Sequence, residues 1–168
     1  MKVLFLDIDG VLNGYPFLGT AKFDEAYPMS SPRYAAGQIN PESVALLNHI
    51  IAETGASIVV SSTWRKRYGA DEMEYILRIQ GFDGHRGCVI DVTPDHHVTQ
   101  KKVKSNRGLE IREWLDAHPE VVSFAVVDDD GDMDTVKDRW VQTSLFSNGM
   151  TPEEAQEIIA LLNEKISE

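Results

Sequence analysis

The sequence predicts an α/β fold, a mainly parallel sheet with helices on both faces, and three observations predict it. Short stretches that are apolar at every position alternate with segments of helical periodicity. The apolar stretches are only four to seven residues long, as strands buried on both sides should be. Acids or hydroxyl residues directly follow three of them, and open parallel sheets carry their ligands at such strand ends.

The elements follow in order. Val3–Leu6 is the first strand. Asn40-Pro-Glu opens a helix with a capping residue and a first-turn proline. Its stripe of Val44, Leu47, Ile50 and Ile51 ends at Gly55. Ser57–Val60 is a second strand, and a helix is expected from Asp71 to Gln80, stopped by Gly81. Cys88–Val92 reads as a third strand. Leu109, Ile111, Trp114 and Leu115 mark a helix that ends near His118-Pro119. Val121–Val127 is the longest strand, and Trp140–Thr143 a short fifth. Thr151-Pro-Glu-Glu opens the last helix, whose apolar face is Ala155, Ile158, Ile159 and Leu162. Two stretches resist the scheme: residues 14–38, rich in Gly, Pro, Ser and aromatics, and the polar, basic stretch 93–107. Loops of that length in a compact domain are commonly functional.

At 168 residues, with 42% hydrophobic and 26% charged residues, the chain suits one domain, residues 1–168. No apolar run approaches membrane-spanning length and the N-terminus runs straight into a strand, so cytoplasmic residence and no membrane partner are expected. The lone Cys88 lies in an apolar stretch and reads as a core thiol. A net charge of −11 counts against extended nucleic acid as a partner, but not against a small phosphorylated substrate. Part of that charge is the run Asp128-Asp-Asp-Gly-Asp-Met-Asp134, which a bound divalent cation would partly neutralise. Nothing in the sequence gives the oligomeric state.

The chemistry is concentrated in Leu6-Asp-Ile-Asp-Gly-Val11. Side chains alternate along a strand, so Asp7 and Asp9 share a face, and two like charges there are costly without a cation or proton between them. Alone, such a pair is a solvated turn. Ser61-Ser-Thr63 after the second strand and Asp128-Asp129 after the fourth change that reading, because one sheet edge would then collect carboxylates and a hydroxyl. A basic segment, Lys101, Lys102, Lys104 and Arg107, lies between them in the chain. These are the parts needed for phosphoryl transfer.

In these residues the chain resembles the haloacid dehalogenase (HAD) superfamily of phosphatases, whose fold is a three-layer, Rossmann-like α/β domain. Leu6-Asp-Ile-Asp-Gly-Val11 is similar to the first motif, Ile58-Val-Val-Ser61 to the second, and Val126-Val-Asp-Asp129 with Asp132 to the fourth. The third-motif cation falls on Arg107, with Lys104, Lys102 and Lys101 as alternatives. The match spans residues 1–132. The resemblance implies a Mg²⁺-dependent phosphomonoester hydrolase with Asp7 as nucleophile and Asp9 as acid and base. It implies Ser61 and Arg107 as phosphate and charge partners. The metal would be held by Asp7, the Asp9 region, Asp128, Asp129 and Asp132. Ser62, Trp64, Arg65 and Lys104 are candidate substrate contacts. Residues 12–38 would form a flap or minimal cap over an open site, and capless relatives make nucleotides or polynucleotide ends plausible substrates. A phospho-accepting receiver-like domain and a non-catalytic metal-binding scaffold are the competing readings. His96 and His97 read as exposed, His118 as a helix-end dipole partner. Tyr15, Phe17, Tyr27 and Tyr34 are expected to pack the first long loop.

Overall fold

A computed structural model describes residues 1–96 and 106–166. The strands are β1 (Lys2–Leu6), β2 (Ser57–Val60), β3 (Val89–Val92), β4 (Ser123–Asp128) and β5 (Trp140–Gln142). They form one parallel sheet in the order β3-β2-β1-β4-β5. The helices are α1 (Tyr15–Leu18), α2 (Pro32–Ala36), α3 (Pro41–Thr54), α4 (Ala70–Ile79), α5 (Arg107–Asp116) and α6 (Pro152–Asn163), with 3₁₀ turns at Thr63–Lys66 and Lys137–Arg139.

Strand alternation sorts the core into two layers. Leu4, Leu6, Ile58, Val60, Ala125 and Val127 pack on one face with the apolar stripes of α3, α4 and α6. Val3, Phe5, Val59, Phe124 and Val126 face the other way onto Ile111 and Trp114 of α5. On that second face Phe5 meets Trp114 and Phe124 edge-on, at 5.4 and 6.0 Å between centroids. The expected α/β architecture, with helices on both faces, is therefore present. Every central-strand residue from Val3 to Leu6 is fully buried, which is why these stretches carry no polar alternation.

Helix boundaries follow their caps. The Asn40 side chain accepts from Glu42 N, Asn106 from Leu109 N and Thr151 from Glu154 N, each ahead of a helix. The stretch 14–38 is more ordered than its composition suggests: it holds α1 and α2, the latter started by Ser31 and Pro32. Of the expected loop aromatics, Tyr34 stacks on Phe23 and Tyr27 lies under the Arg33 guanidinium. Tyr15 is half-exposed and meets the exposed Phe146. Gly14 fits tightly, since a Cβ there would fall 1.6 Å from the Ser147 carbonyl oxygen. Gly14→Ala should cost about 1–3 kcal/mol in urea unfolding; an unchanged midpoint would contradict this packing.

Cys88 is buried, and burial pushes its thiol up to about 11, so it is a core residue as expected. His118 donates from Nδ1 to the Trp114 carbonyl and stacks on the Trp114 ring, in keeping with a helix-end role. His96 corrects the reading of an exposed residue. It is buried, its Nε2 lies 2.5 Å from Glu113 Oε2, and its backbone N–H donates to Glu110. Two acids of α5, Glu110 and Glu113, draw it in, which a polar loop sequence does not reveal. His97, Lys101, Lys102 and Lys104 lie outside the described residues. Among the described residues no helix is long and apolar enough to cross a membrane.

Candidate active site

For β1, β2, β3 and β5 the ladder runs one residue past the strand itself, and this aligns the strand ends. Asp7 N donates to Val127 O, Ser61 N to Leu6 O, Thr93 N to Val60 O and Thr143 N to Asp128 O. The carboxyl edge of the sheet thus presents Asp7, Ser61 and Asp128 on three neighbouring strands. Asp7, Asp128 and Asp129 each offer an oxygen within 4.8 Å of the others. Gly10 makes room for this cluster. It sits at φ +78°, and a Cβ on it would lie 2.7 Å from Asp129 Cγ, so a side chain here would fill the space the carboxylate occupies.

Arg107 reaches into the cluster from the start of α5. Its Nη1 lies 2.9 Å from Asp7 Oδ1 and donates to Asp128 Oδ2 at 2.7 Å. Asp132 takes a supporting place: its carboxylate accepts from the Arg107 backbone N–H at 2.9 Å and so fixes the helix start that carries the guanidinium. Burial, opposed by Arg107, pushes the Asp7 carboxyl up to about 6. Burial and the charge of Asp7 push Asp128 up to about 8. Asp129 is raised as well, by burial first and by Asp130 second. Burial works against the Arg107 charge, but Asp7 and Asp128 outweigh it, so this cation is reinforced. One guanidinium is too little charge for three crowded acids, and the site retains a demand for positive charge.

Asp9 stands apart from that cluster and is clamped. Trp64 Nε1 donates to one carboxylate oxygen and Asn13 Nδ2 to the other, both at 3.0 Å. Asn13, fully buried, also accepts from Gly10 N and donates to Gln38 O, tying the first motif to the 14–38 stretch. No sequence signal singles out Asn13, whose role rests on contacts with Asp9, Gly10 and Gln38. Trp64, a candidate substrate contact, commits its indole N–H to Asp9.

The second strand end is braced from behind. Arg65 Nη1 donates to the carbonyls of Ser61 and Ser62 at 2.6 and 2.8 Å, and Nη2 pairs with Glu110 Oε2 at 2.7 Å. Its side chain is 3% exposed, so the expected substrate contact is instead an inward brace. Burial lowers its pKa and Glu110 opposes that. Glu110 is fully buried and was not apparent from sequence, where it is one acid on a helix. The Ser62 hydroxyl accepts from Trp64 N and works to lower the Asp7 carboxyl. The Ser61 hydroxyl is fully buried, and among the described residues nothing hydrogen-bonds it. A buried hydroxyl at a strand end can donate to an oxygen brought to that edge.

The family described as the HAD domain in Swiss Army Knife RNA repair proteins matches residues 3–155. The chain belongs to this family. Neither the curated proteins nor the solved structures gave a match. HAD domains are hydrolases, and the five-stranded parallel sheet with helices is the fold of such a domain. HAD domains generally use Mg²⁺, and the residues of this chain fit it. The donors are carboxylate oxygens, the hard ligands Mg²⁺ prefers, and the cradle at Gly10 keeps them close. Asp7, Asp128 and Asp129 are the residues that would hold it; both Asp9 carboxylate oxygens accept from other residues, and one Asp132 oxygen accepts from the Arg107 backbone N–H.

Proposed function

We propose that this HAD domain is a Mg²⁺-dependent phosphomonoester hydrolase that works through an aspartyl-phosphate on Asp7. The observation that carries the reading is the arrangement of Asp7 between the Arg107 guanidinium and the Asp128–Asp129 pair, one strand away from the unpartnered Ser61 hydroxyl. Bound at Asp7, Asp128 and Asp129, Mg²⁺ would neutralise charge and align the phosphoryl group.

The chain's own residues supply the rest. An Asp7 carboxylate oxygen attacks phosphorus in line with the ester oxygen, which leaves with a proton from Asp9. Water then attacks the phosphorus of the aspartyl-phosphate, giving its proton to Asp9 and releasing the Asp7 carboxylate and phosphate. Trp64 and Asn13 hold the Asp9 carboxyl in one orientation through both steps. Ser61 donates to a non-bridging oxygen, and Arg107 balances the charge that builds beside Asp7. Residues 12–38 act as the flap of a single domain, and the open strand edge admits a bulky ester. Taken with the family's description, a nucleotide or a phosphorylated RNA end is the substrate class that fits.

Metal binding should carry a pH signature. Asp7 and Asp128 hold protons more tightly folded than unfolded, so the metal-free protein is favoured by them at low pH and loses that support as pH rises from about 4 through about 8. A cation reverses this where both are ionised. Millimolar MgCl₂ should therefore raise Tm clearly at pH 8 and little at pH 5, by differential scanning fluorimetry. An equal shift at both pH values would count against a carboxylate site.

A further inference from the structure

The acid pair after β4 is gripped through its main chain by the last strand. Thr143 N and Trp140 Nε1 both donate to the Asp128 carbonyl, at 3.2 and 3.1 Å, so both lone pairs of that oxygen are engaged. The Gln142 side-chain amide donates to the Asp129 carbonyl at 3.1 Å, and among the described residues no other group does. At its far end the same turn is tied to α5, where Asp132 accepts from Arg107 N through its carboxylate and from Gly108 N through its carbonyl. The two acids differ in what fixes their side chains. Asp128 is fully buried, and its carboxylate accepts from Asp130 N at 2.9 Å and from Arg107 at 2.7 Å. Asp129 is half-buried and makes no ion pair among the described residues. Its charge acts against that of Asp7 across the cluster. Such repulsion favours a swing of Asp129 towards solvent, and the Gln142 amide holds the peptide that resists it.

We infer that Gln142, with Trp140 beside it, is a positioning residue that sets how far the acid cluster can open and so makes it select Mg²⁺ over the larger Ca²⁺. The inference rests on the cluster being a Mg²⁺ site and adds what governs its selectivity. Mg²⁺ demands near-ideal octahedral geometry at about 2.0–2.1 Å from its oxygens, whereas Ca²⁺ accepts six to eight oxygens at about 2.3–2.6 Å in looser arrangements. Selectivity between them therefore depends on whether the carboxylates can relax outward. Asp7 and Asp128 are held by burial and by Arg107, which leaves Asp129 as the acid whose freedom decides the width. On its inner side it meets Gly10, and on its outer side its main chain meets Gln142. Groups that orient metal ligands from behind commonly change affinity by about ten- to a hundredfold when removed. An exposed bond such as that of Gln142 belongs at the lower end of that range. Gln142 is itself exposed, so its amide can be replaced without opening the core.

The test titrates the parent protein and its variants with MgCl₂ and, separately, CaCl₂ at pH 8, reading Kd from thermal shift and so needing no turnover. Gln142→Met keeps the length of the side chain and removes the donor. It should weaken Mg²⁺ by about tenfold and Ca²⁺ much less, so that the ratio of the Ca²⁺ Kd to the Mg²⁺ Kd falls by roughly fivefold or more. Trp140→Phe should lower the ratio less, because Thr143 N still holds the Asp128 carbonyl. Gln142→Lys returns an N–H donor, and its added charge acts on both ions alike, so the ratio should recover. An unchanged ratio in Gln142→Met overturns the inference, whatever happens to Tm without metal. Equal weakening of both ions also overturns it, since that is the mark of a general loss of structure. A lysine variant with a ratio as low as that of the methionine variant overturns the role of the donor. Mg²⁺ binding that depends on Gln142, with no phosphate released from any ester, leaves the inference in place and overturns the phosphatase reading. A parent protein that binds neither ion overturns the metal site and the inference together.

Discussion

Asp7→Asn should abolish phosphate release, lowering kcat for an aryl phosphate by about a thousandfold or more, because the amide cannot form the aspartyl-phosphate. The same change should leave the fold intact. Asp7 is charged at a buried position where burial already pushes its carboxyl up to about 6, and a neutral side chain of the same shape relieves that cost. Arg107 keeps Asp128 as a partner at 2.7 Å, so the guanidinium is not orphaned. Circular dichroism should be unchanged and Tm at pH 8 no lower than in the parent protein. Turnover within tenfold of the parent would remove Asp7 from the nucleophile's role, since the expected loss is about a thousandfold.

Glu110→Ala should have the largest effect on stability, about 3–5 kcal/mol. Arg65 is then left as a buried guanidinium without its carboxylate, while its other donors still point at the Ser61 and Ser62 carbonyls. His96 N also loses its acceptor. Glu110→Gln keeps an acceptor of the same shape and should cost less than Glu110→Ala. Urea unfolding measures both. A loss of less than about 1 kcal/mol for the alanine variant would mean that water or a rotated Arg65 satisfies the charge. Because the brace ends on the backbone of Ser61, the glutamine variant should also bind phosphate less well while still folded, which inorganic phosphate inhibition would read.

Much of this arrangement was legible in the sequence, and the reason is physical. A strand buried on both faces must be apolar throughout, so β1, β2 and β4 stood out, and the acid or hydroxyl that follows each one fell on a common edge once the sheet was parallel. Arg107 was found by its place before a helix. What escaped were residues whose role depends on an inward turn of the side chain. Arg65 follows a motif and is charged, so it reads as a substrate contact; only the packing of α5 against the second strand end shows that Glu110 claims it. Asn13 and His96 were hidden in the same way, each bonded to groups distant in the chain. The order within 14–38 was underestimated because α1 and α2 are too short for a hydrophobic period to register, although Ser31-Pro32 marks the start of the second.

The pairing of β1 with β4 has a consequence for how the protein acquires its activity. Lys2 to Leu6 lie alongside Ser123 to Val127, so the cluster joins opposite ends of the reading order and cannot exist in any half-made chain. Pairings so remote in sequence close slowly, after the local helices have formed. During refolding, uptake of the divalent ion should lag behind the return of helical ellipticity, so the metal reports the moment at which the two central strands meet.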